Sequence, residues 1–454
     1  MGGVTGTAMT PRRKLGFVMC VTLVVGNMIG TGIFQLPGVL APLGWNSVLG
    51  WVATIGGTLC LAFVLLRLAR GRADGCAPFS YPAAAFGPGT GFVVAWAYWI
   101  SCWTANATLA VAAVQNLAFI WPGLAAPGIA APAALAILWL FTLVNCLGVR
   151  EAGRVQVLTA LLKLLPLAGV ILVAFWLLVR GTATPVPFES VPLDATSINT
   201  AATLTLFALL SFESAMVVGD RAENPERTVP RATMVGTLLA GIIYLLCSSA
   251  VTLLLPPETL SGADAPFALF FATFVDPAVG GIVAAFVAIA ALGALNGLIL
   301  VQGEMPVAAA RQGLLPAWVA GFNRREVPWR IHLISSGLAT LLVIANYTQS
   351  LSQLFTFMIQ VTTSVSLIFY LTGTLAALWL RARGKLEGNA AFVAVALVAV
   401  AYCLWAFYGA GAKETLWSFG MTAVAIPVYL IMRRVNHSSL AGAAHPAAPP
   451  GSAA

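Results

Sequence analysis

The stretch GNMIGTGIFQLP, residues 26–37, lies inside the first apolar run of the chain and decides how the rest is read. Gly26, Gly30 and Gly32 alternate there with Asn27 and Thr31 in the middle of a run spanning 15–40. Glycine costs about 1 kcal/mol at each helix position. An unsatisfied backbone polar group in lipid costs more, so such a break persists only where it lines a cavity or packs on protein. Gly26 and Gly30 also have the spacing of a helix-packing GxxxG face. Packing alone, however, leaves Asn27 and Thr31 unexplained.

The surroundings of this stretch are those of a membrane protein. The chain has 454 residues, 60% of them hydrophobic and 8% charged. A soluble domain carries about 25% charged residues, and disorder demands low hydrophobicity. Twelve apolar segments follow one another at 15–40, 46–68, 90–121, 128–148, 155–179, 197–219, 232–255, 280–303, 331–347, 354–380, 390–410 and 414–432. Their length, roughly 20 residues, is that of a membrane helix and not of a barrel strand. The basic cluster Arg12-Arg13-Lys14 leads into too long an apolar run for a cleaved signal peptide.

The net charge of +8 does not mark a nucleic-acid binder, because the basic residues fall in short clusters between apolar runs. With the N-terminus in the cytoplasm, twenty of the 23 Lys and Arg lie inside, Arg180 and Lys413 lie outside, and Lys163 lies within a span. That bias predicts both termini in the cytoplasm and an even number of spans. Seven cysteines, mostly within spans and without CxxC spacing, and three histidines form neither a disulfide framework nor a metal site. No catalytic triad can be assembled, so no enzyme reading survives. No cofactor is expected either.

Segment 6 contains a second break, Leu210-Ser211-Phe212-Glu213-Ser214. Segments 1 and 6 each open a block of five. An odd block places the second block in the membrane upside down relative to the first, which is an inverted repeat with paired broken helices at a midplane site. Half-helix N-termini offer N–H groups and the positive dipole end to an anion, and unwound carbonyls suit a cation. An α-amino acid carries both groups. The expected organisation is an N-terminus 1–14, five-helix repeats 15–180 and 197–380, two further helices over 390–432, and a small, Pro-rich, disordered tail 435–454. The stretch 256–280 is apolar in its middle and is expected to hold a short external helix.

These residues resemble the amino acid–polyamine–organocation (APC) superfamily, and within it the bacterial arginine/agmatine antiporters. The resemblance covers nearly all of 10–435. It rests on GNMIGTGIFQLP, on Tyr98-Trp99-Ile100-Ser101-Cys102-Trp103 with Asn106, and on Arg154-Val155-Gln156 and Glu213-Ser214. Asn224-Pro225-Glu226-Arg227 with Val229-Pro230, and the late run from Tyr402 through Gly411-Ala412-Lys413-Glu414 to Phe419, complete it. It implies an all-α carrier of twelve transmembrane helices, with a LeuT-type 5+5 inverted repeat and broken helices 1 and 6. Such a carrier works by alternating access in a bacterial inner membrane, with an amino acid or polyamine as substrate. Homodimers occur in the superfamily, and the residues here decide nothing about assembly.

By the same resemblance, Asn27, Met28, Thr31 and Gly32 would hold the substrate's α-carboxylate and α-amino groups. Ser101, Cys102 and Asn106 would line the site, and Phe207, Leu210, Leu298 and Ser366 would hold the substrate side chain. Tyr98 and Glu213 would belong to an inner gate. Two departures weaken arginine specificity. Phe207 and Leu298 stand where that antiporter has tryptophans, and Trp is the strongest cation–π partner at ~0.5–2 kcal/mol per contact. Lys163, within LLKLLPL, places a fixed cation where related sodium-independent carriers use a lysine in place of sodium.

Several residues admit a plainer role. Lys163 either snorkels to the interface or tethers segment 5 to the broken segment 1 and takes part in proton coupling. Glu213 is a functional candidate as an intramembrane carboxylate, or a structural one satisfied by hydroxyls such as Tyr98. Asn106 is either a substrate ligand or a helix–helix hydrogen bond. Glu304 reads as interfacial, pairing with Arg311, and Asn224-Pro225-Glu226-Arg227 as a cap ordering the exit of segment 6. Two transport readings therefore stand: exchange of an amino acid for an amine, and proton-coupled uptake of a neutral or small amino acid. A channel would need a selectivity filter or charge ring that the chain lacks.

Overall fold

Apolar runs that must satisfy their own backbone in lipid become helices, and in the computed structural model every regular element among the described residues is a helix. These are 16–69, 80–126, 128–148, 152–212, 224–311, 315–346 and 348–443. The α-helices in chain order are α1 (Phe17–Met28), α2 (Gly32–Leu40), α3 (Trp45–Ala69), α4 (Ser80–Phe86), α5 (Pro88–Ile120) and α6 (Ala130–Cys146). They continue with α7 (Ala152–Arg180), α8 (Ala195–Leu209), α9 (Pro225–Leu254), α10 (Pro257–Leu260), α11 (Pro266–Phe274) and α12 (Pro277–Gln302). The last six are α13 (Glu304–Arg311), α14 (Trp329–Ile344), α15 (Leu351–Ala382), α16 (Ala390–Gly409), α17 (Ala412–Ala423) and α18 (Ala425–Ala443).

Among the described residues, seven helical stretches are long and apolar enough to cross a membrane: 45–68, 162–180, 227–254, 277–311, 351–382, 390–409 and 412–434. Shorter apolar helices occupy 17–26, 32–43, 130–146, 195–209 and 329–344. Helix α5 belongs to neither set, although it is 33 residues long. The reason is its position. It packs against α12, α15, α6 and α14, and most of its residues are buried. A helix screened from lipid by neighbours can carry Thr104, Asn106, Thr108, Gln115 and Asn116. Their donors find backbone carbonyls or side-chain oxygens, as that of Thr104 does on Ile100 O at 3.0 Å.

Close helix approach is built from small residues, as expected where lipid provides no hydrophobic drive. Gly50 of α3 leaves so little room that a Cβ would stand 2.5 Å from the Ala201 methyl of α8. One turn on, the Thr54 hydroxyl hydrogen-bonds that of Thr205 at 2.7 Å. Gly57 lies under the Tyr402 ring of α16.

The stretch 256–280 does hold helices, α10 and α11, and they cover α2. Phe34 meets Phe267 edge-on at 5.0 Å, and the Gly262 amide donates to the Gly38 carbonyl at 3.1 Å. Asn224 precedes α9 in the left-handed region (φ 47°), and its carbonyl accepts the Arg227 and Thr228 amides. The NPER run thus starts a helix. Glu304 is exposed at the start of α13, and Arg311 lies over Phe322 at 5.6 Å instead of pairing with it among the described residues. The twelfth apolar segment is divided at Val424 into α17 and α18. Helix α18 continues to Ala443, into the stretch 435–454 that composition assigns to a disordered tail.

Candidate functional site

The expected break of segment 1 is present in the backbone, and the helix of segment 6 ends where its break is expected. α1 ends at Met28, Ile29 leaves the helical region (φ −67°, ψ 85°), and α2 starts only at Gly32. The Ile29 amide still reaches Val25 O at 2.9 Å, and the Gly30 amide reaches Met28 O at 2.7 Å. The first N–H groups of α2 have no carbonyl one turn behind them, because the chain there is unwound. Thr31, the residue before α2, makes no capping bond, and its buried hydroxyl has no partner among the described residues. A buried unsatisfied hydroxyl costs about 1–3 kcal/mol, which is tolerable where a ligand or water completes it.

In segment 6, α8 ends at Leu209. Leu210 is extended (φ −60°, ψ 161°), and Ser211 takes φ 71°, a left-handed conformation rare for a side-chain-bearing residue. Phe212 then turns inward, fully buried, and stacks on Tyr370 of α15 at 5.1 Å. Glu213 lies outside the described residues, as does the side chain of Asn27, whose backbone lies in the last turn of α1.

The two breaks meet at one contact. A Cβ on Gly32 would lie 2.8 Å from both Cδ1 and Cε1 of Phe207. The N-terminus of α2 thus abuts an aromatic ring carried by the last turn of α8. Phe207 in turn meets Phe355 of α15 edge-on, with centroids 6.4 Å apart. Met28 is fastened from the other side, its sulfur accepting from the Thr237 hydroxyl of α9 at 3.8 Å.

The remaining expected residues fall on the surrounding helices. Tyr98, Cys102 and Asn106 are spaced by four on α5 and share one face. Tyr98 meets Phe369 of α15 edge-on at 5.9 Å. Ser101, half-buried, donates to its own helix at Tyr98 O, and Cys102 is buried. Ser366 is buried on α15 and bonds back to Thr362 O at 2.9 Å. Leu298 and Leu210 are half-buried against the core.

Asn106 makes a helix–helix bond: its amide donates to Gln302 Oε1 of α12 at 2.8 Å. Among the described residues Asn106 Oδ1 and Gln302 Nε2 have no partners, so the buried pair keeps one acceptor and one donor free there. The amide orientations are assigned from such bonds, and flipping both leaves the same inventory. Gln302 was not among the sequence candidates. It lies one turn beyond Leu298 on the same face of α12, a spacing that could have flagged it.

Lys163 is buried on α7, which packs against α12, α9 and α11. Among the described residues it makes no hydrogen bond or ion pair, so the expected tether to segment 1 is not formed there.

A multi-pass helical membrane protein with two broken segments in contact, one offering a free helix N-terminus, is built as a solute transporter and not as an enzyme. The chain belongs to the amino acid permease family, whose model matches residues 15–432, and so to the APC superfamily. It is similar to the cadaverine/lysine antiporter of Escherichia coli K12, with 32% identity over 336 residues, 74% of this chain and 76% of that protein. It is also similar to the putrescine transporter PotE of Haemophilus influenzae, at 27% identity over 92% of this chain and 96% of the relative. PotE of E. coli K12 is 27% identical over 92% and 95%.

Proposed function

We propose that the chain is a twelve-span exchanger of a bacterial inner membrane, both termini cytoplasmic, that trades an external basic amino acid for its decarboxylated amine. The five-helix blocks 15–180 and 197–380 form an inverted repeat around the site, with 390–432 outside it. The arginine/agmatine pair is the expected cargo, and the names of the relatives, with cadaverine, lysine and putrescine in them, support substrates of the same charge and reach. The observation that carries this reading is the α2 N-terminus, with the unpartnered Thr31 hydroxyl beside it, set against Phe207 of the other break.

The chemistry follows from charge. The α-carboxylate is the group suited to the N–H donors at Gly32 and to the Thr31 hydroxyl. The α-ammonium suits the carbonyls left free where α1 ends. The distal cation would lie toward Phe207, whose ring face offers a modest cation–π contact. Each amino acid of charge +1 that enters against an amine of charge +2 removes one positive charge, equivalent to expelling the proton consumed by decarboxylation.

A second reading has its own support. Leu298 offers no π face, and Lys163 is a buried cation without a described counter-charge, which together favour a neutral amino acid driven by protons. Proteoliposomes separate the two. Uptake of labelled arginine or lysine stimulated by internal agmatine, cadaverine or putrescine establishes the exchanger. Proton-driven uptake of a neutral amino acid with arginine and lysine inert establishes the second reading instead.

A further inference from the structure

Where α2 and α5 run under the loop leading into α11, buried amide oxygens collect beside a carboxylate. Gln115 of α5 is 1% exposed, and its amide nitrogen donates to Asp264 Oδ1 at 3.3 Å. The oxygen of the same planar amide is buried with no partner among the described residues. Gln35 of α2, 2% exposed, donates to the Ala112 carbonyl at 3.4 Å, and its oxygen likewise has no described partner. A helix carbonyl points along the axis toward the next turn, so the Gln35 amide lies at the level of Gln115 on α5. The loop closes over the same layer, with Ala263 O 2.7 Å from where a Cβ on Gly38 would stand, one turn beyond Gln35. Asp264 is half-buried and forms no ion pair among the described residues. The amide orientations follow from these bonds, since turning either one would set oxygen against the Ala112 carbonyl or the ionised carboxylate.

We infer that Gln115 and Asp264, with Gln35 behind them, form a binding site for a primary alkylammonium group on the outer side of the transport site. An –NH3+ group brings three N–H donors and no acceptor, which matches two bare amide oxygens and a carboxylate. The bond to the carboxylate is charge-assisted and so the strongest of the three. A quaternary ammonium would leave both amide oxygens unsatisfied, and an anion would meet only acceptors. Gln35 is one turn from Gly32, and Gln115 lies roughly 14 Å of helix beyond Asn106 at ~1.5 Å per residue. That direction leads to the end of α5 that the proposed arrangement puts outside. A cationic solute would therefore meet this site before it reaches the broken segments. The inference rests on the membrane placement proposed above and deepens the reading of the cargo as cationic.

The test titrates the full-length protein in detergent with n-pentylammonium chloride at about pH 8, where a carboxylate is ionised, and reads binding by calorimetry. Tetramethylammonium and sodium chlorides at matched ionic strength are the controls. n-Pentylammonium should bind, with affinity falling about tenfold or more in D264N and in Q115L. D264N keeps the shape of the side chain, and its unfolding midpoint without ligand separates lost binding from lost fold. No binding by the wild type would overturn the inference, as would unchanged affinity in D264N. Tetramethylammonium or sodium binding equally well would reduce the site to a diffuse charge or a metal-ion site and overturn it too. In proteoliposomes, D264N should raise the KM for external arginine or lysine and spare kcat. Exchange of arginine with unchanged KM in D264N would sink the outer site and leave the exchanger standing. Arginine and lysine inert in the wild type would sink the exchanger, while the binding titration still decides the site.

Discussion

Gly32 and Phe207 touch across the two breaks so closely that position 32 has no room for a side chain: a Cβ there would stand 2.8 Å from two ring carbons. The first residue of α2 and the last turn of α8 are therefore fitted to each other, and whatever binds at the α2 N-terminus binds next to this ring. Gly32→Ala should push the ring aside at a cost of about 1–3 kcal/mol, typical of overpacking, and abolish most transport. Shortening the ring in G32A/F207L should recover stability in thermal unfolding, since the clash is with the ring. A single mutant that transports normally would show that the contact is not kept during the cycle.

The left-handed Ser211 is the second strained point. A side chain at φ 71° costs roughly 1–2 kcal/mol relative to glycine, and Ser211 is exposed, so little packing is lost on removing it. Ser211→Gly should raise the midpoint of unfolding, by about 1 kcal/mol of stability. An unchanged midpoint would mean that this backbone conformation is not the one dominant in solution.

Both breaks, and the positions of most helices, were legible in the residues, because glycines and polar side chains in mid-run interrupt a helix that lipid would otherwise keep whole. What could not be read was who stands opposite whom. Gln302 is a lone polar residue at the end of an apolar run, and only the packing of α12 on α5 makes it the partner of Asn106. Phe355 is likewise one aromatic among many until α15 brings it to Phe207. The division of the twelfth segment at Val424 also escaped, although Pro427, three residues on, removes an amide and crowds the carbonyl of Ala423.

The Asn106–Gln302 pair allows substrate binding to be separated from packing. Truncating one member leaves a buried amide with no partner, at about 1–3 kcal/mol, whereas replacing both by apolar side chains is nearly neutral. Q302L should therefore be less stable than N106L/Q302L in thermal unfolding. If Asn106 also contacts substrate, the double variant should be stable and yet bind arginine or agmatine at least tenfold more weakly. A stable double variant with normal affinity would leave Asn106 as a helix–helix bond only.

Asp264, in the loop covering α2, connects acidity to stability. Burial pushes its carboxyl above the usual range, while the hydrogen bond it accepts from Gln115 at 3.3 Å pulls the other way. The folded state then keeps a proton at pH values where the unfolded chain has lost it. Stability from this group is accordingly gained as pH falls through the raised value toward the ordinary carboxylate range near ~4. Asp264→Asn should flatten the rise in unfolding midpoint between about pH 7 and 4. An identical slope in the variant would assign the pH dependence to other groups.

Lys163 decides between the two transport readings. An ammonium buried on α7 without a described counter-charge is expensive unless it has work to do. Lys163→Ala and the length-preserving Lys163→Met both remove the charge, and Met keeps most of the volume, so packing loss should be confined to Ala. If the amine exchanges a proton during the cycle, both variants should transport with a pH profile flattened relative to the wild type. Counterflow, which needs no net proton movement, should then survive in Lys163→Met. A normal rate with an unchanged pH profile would reduce Lys163 to a packed stem whose head reaches the interface. The proton-coupled reading would then lose its main support, and exchange of an amino acid for an amine would stand on the α2 N-terminus and Phe207 alone.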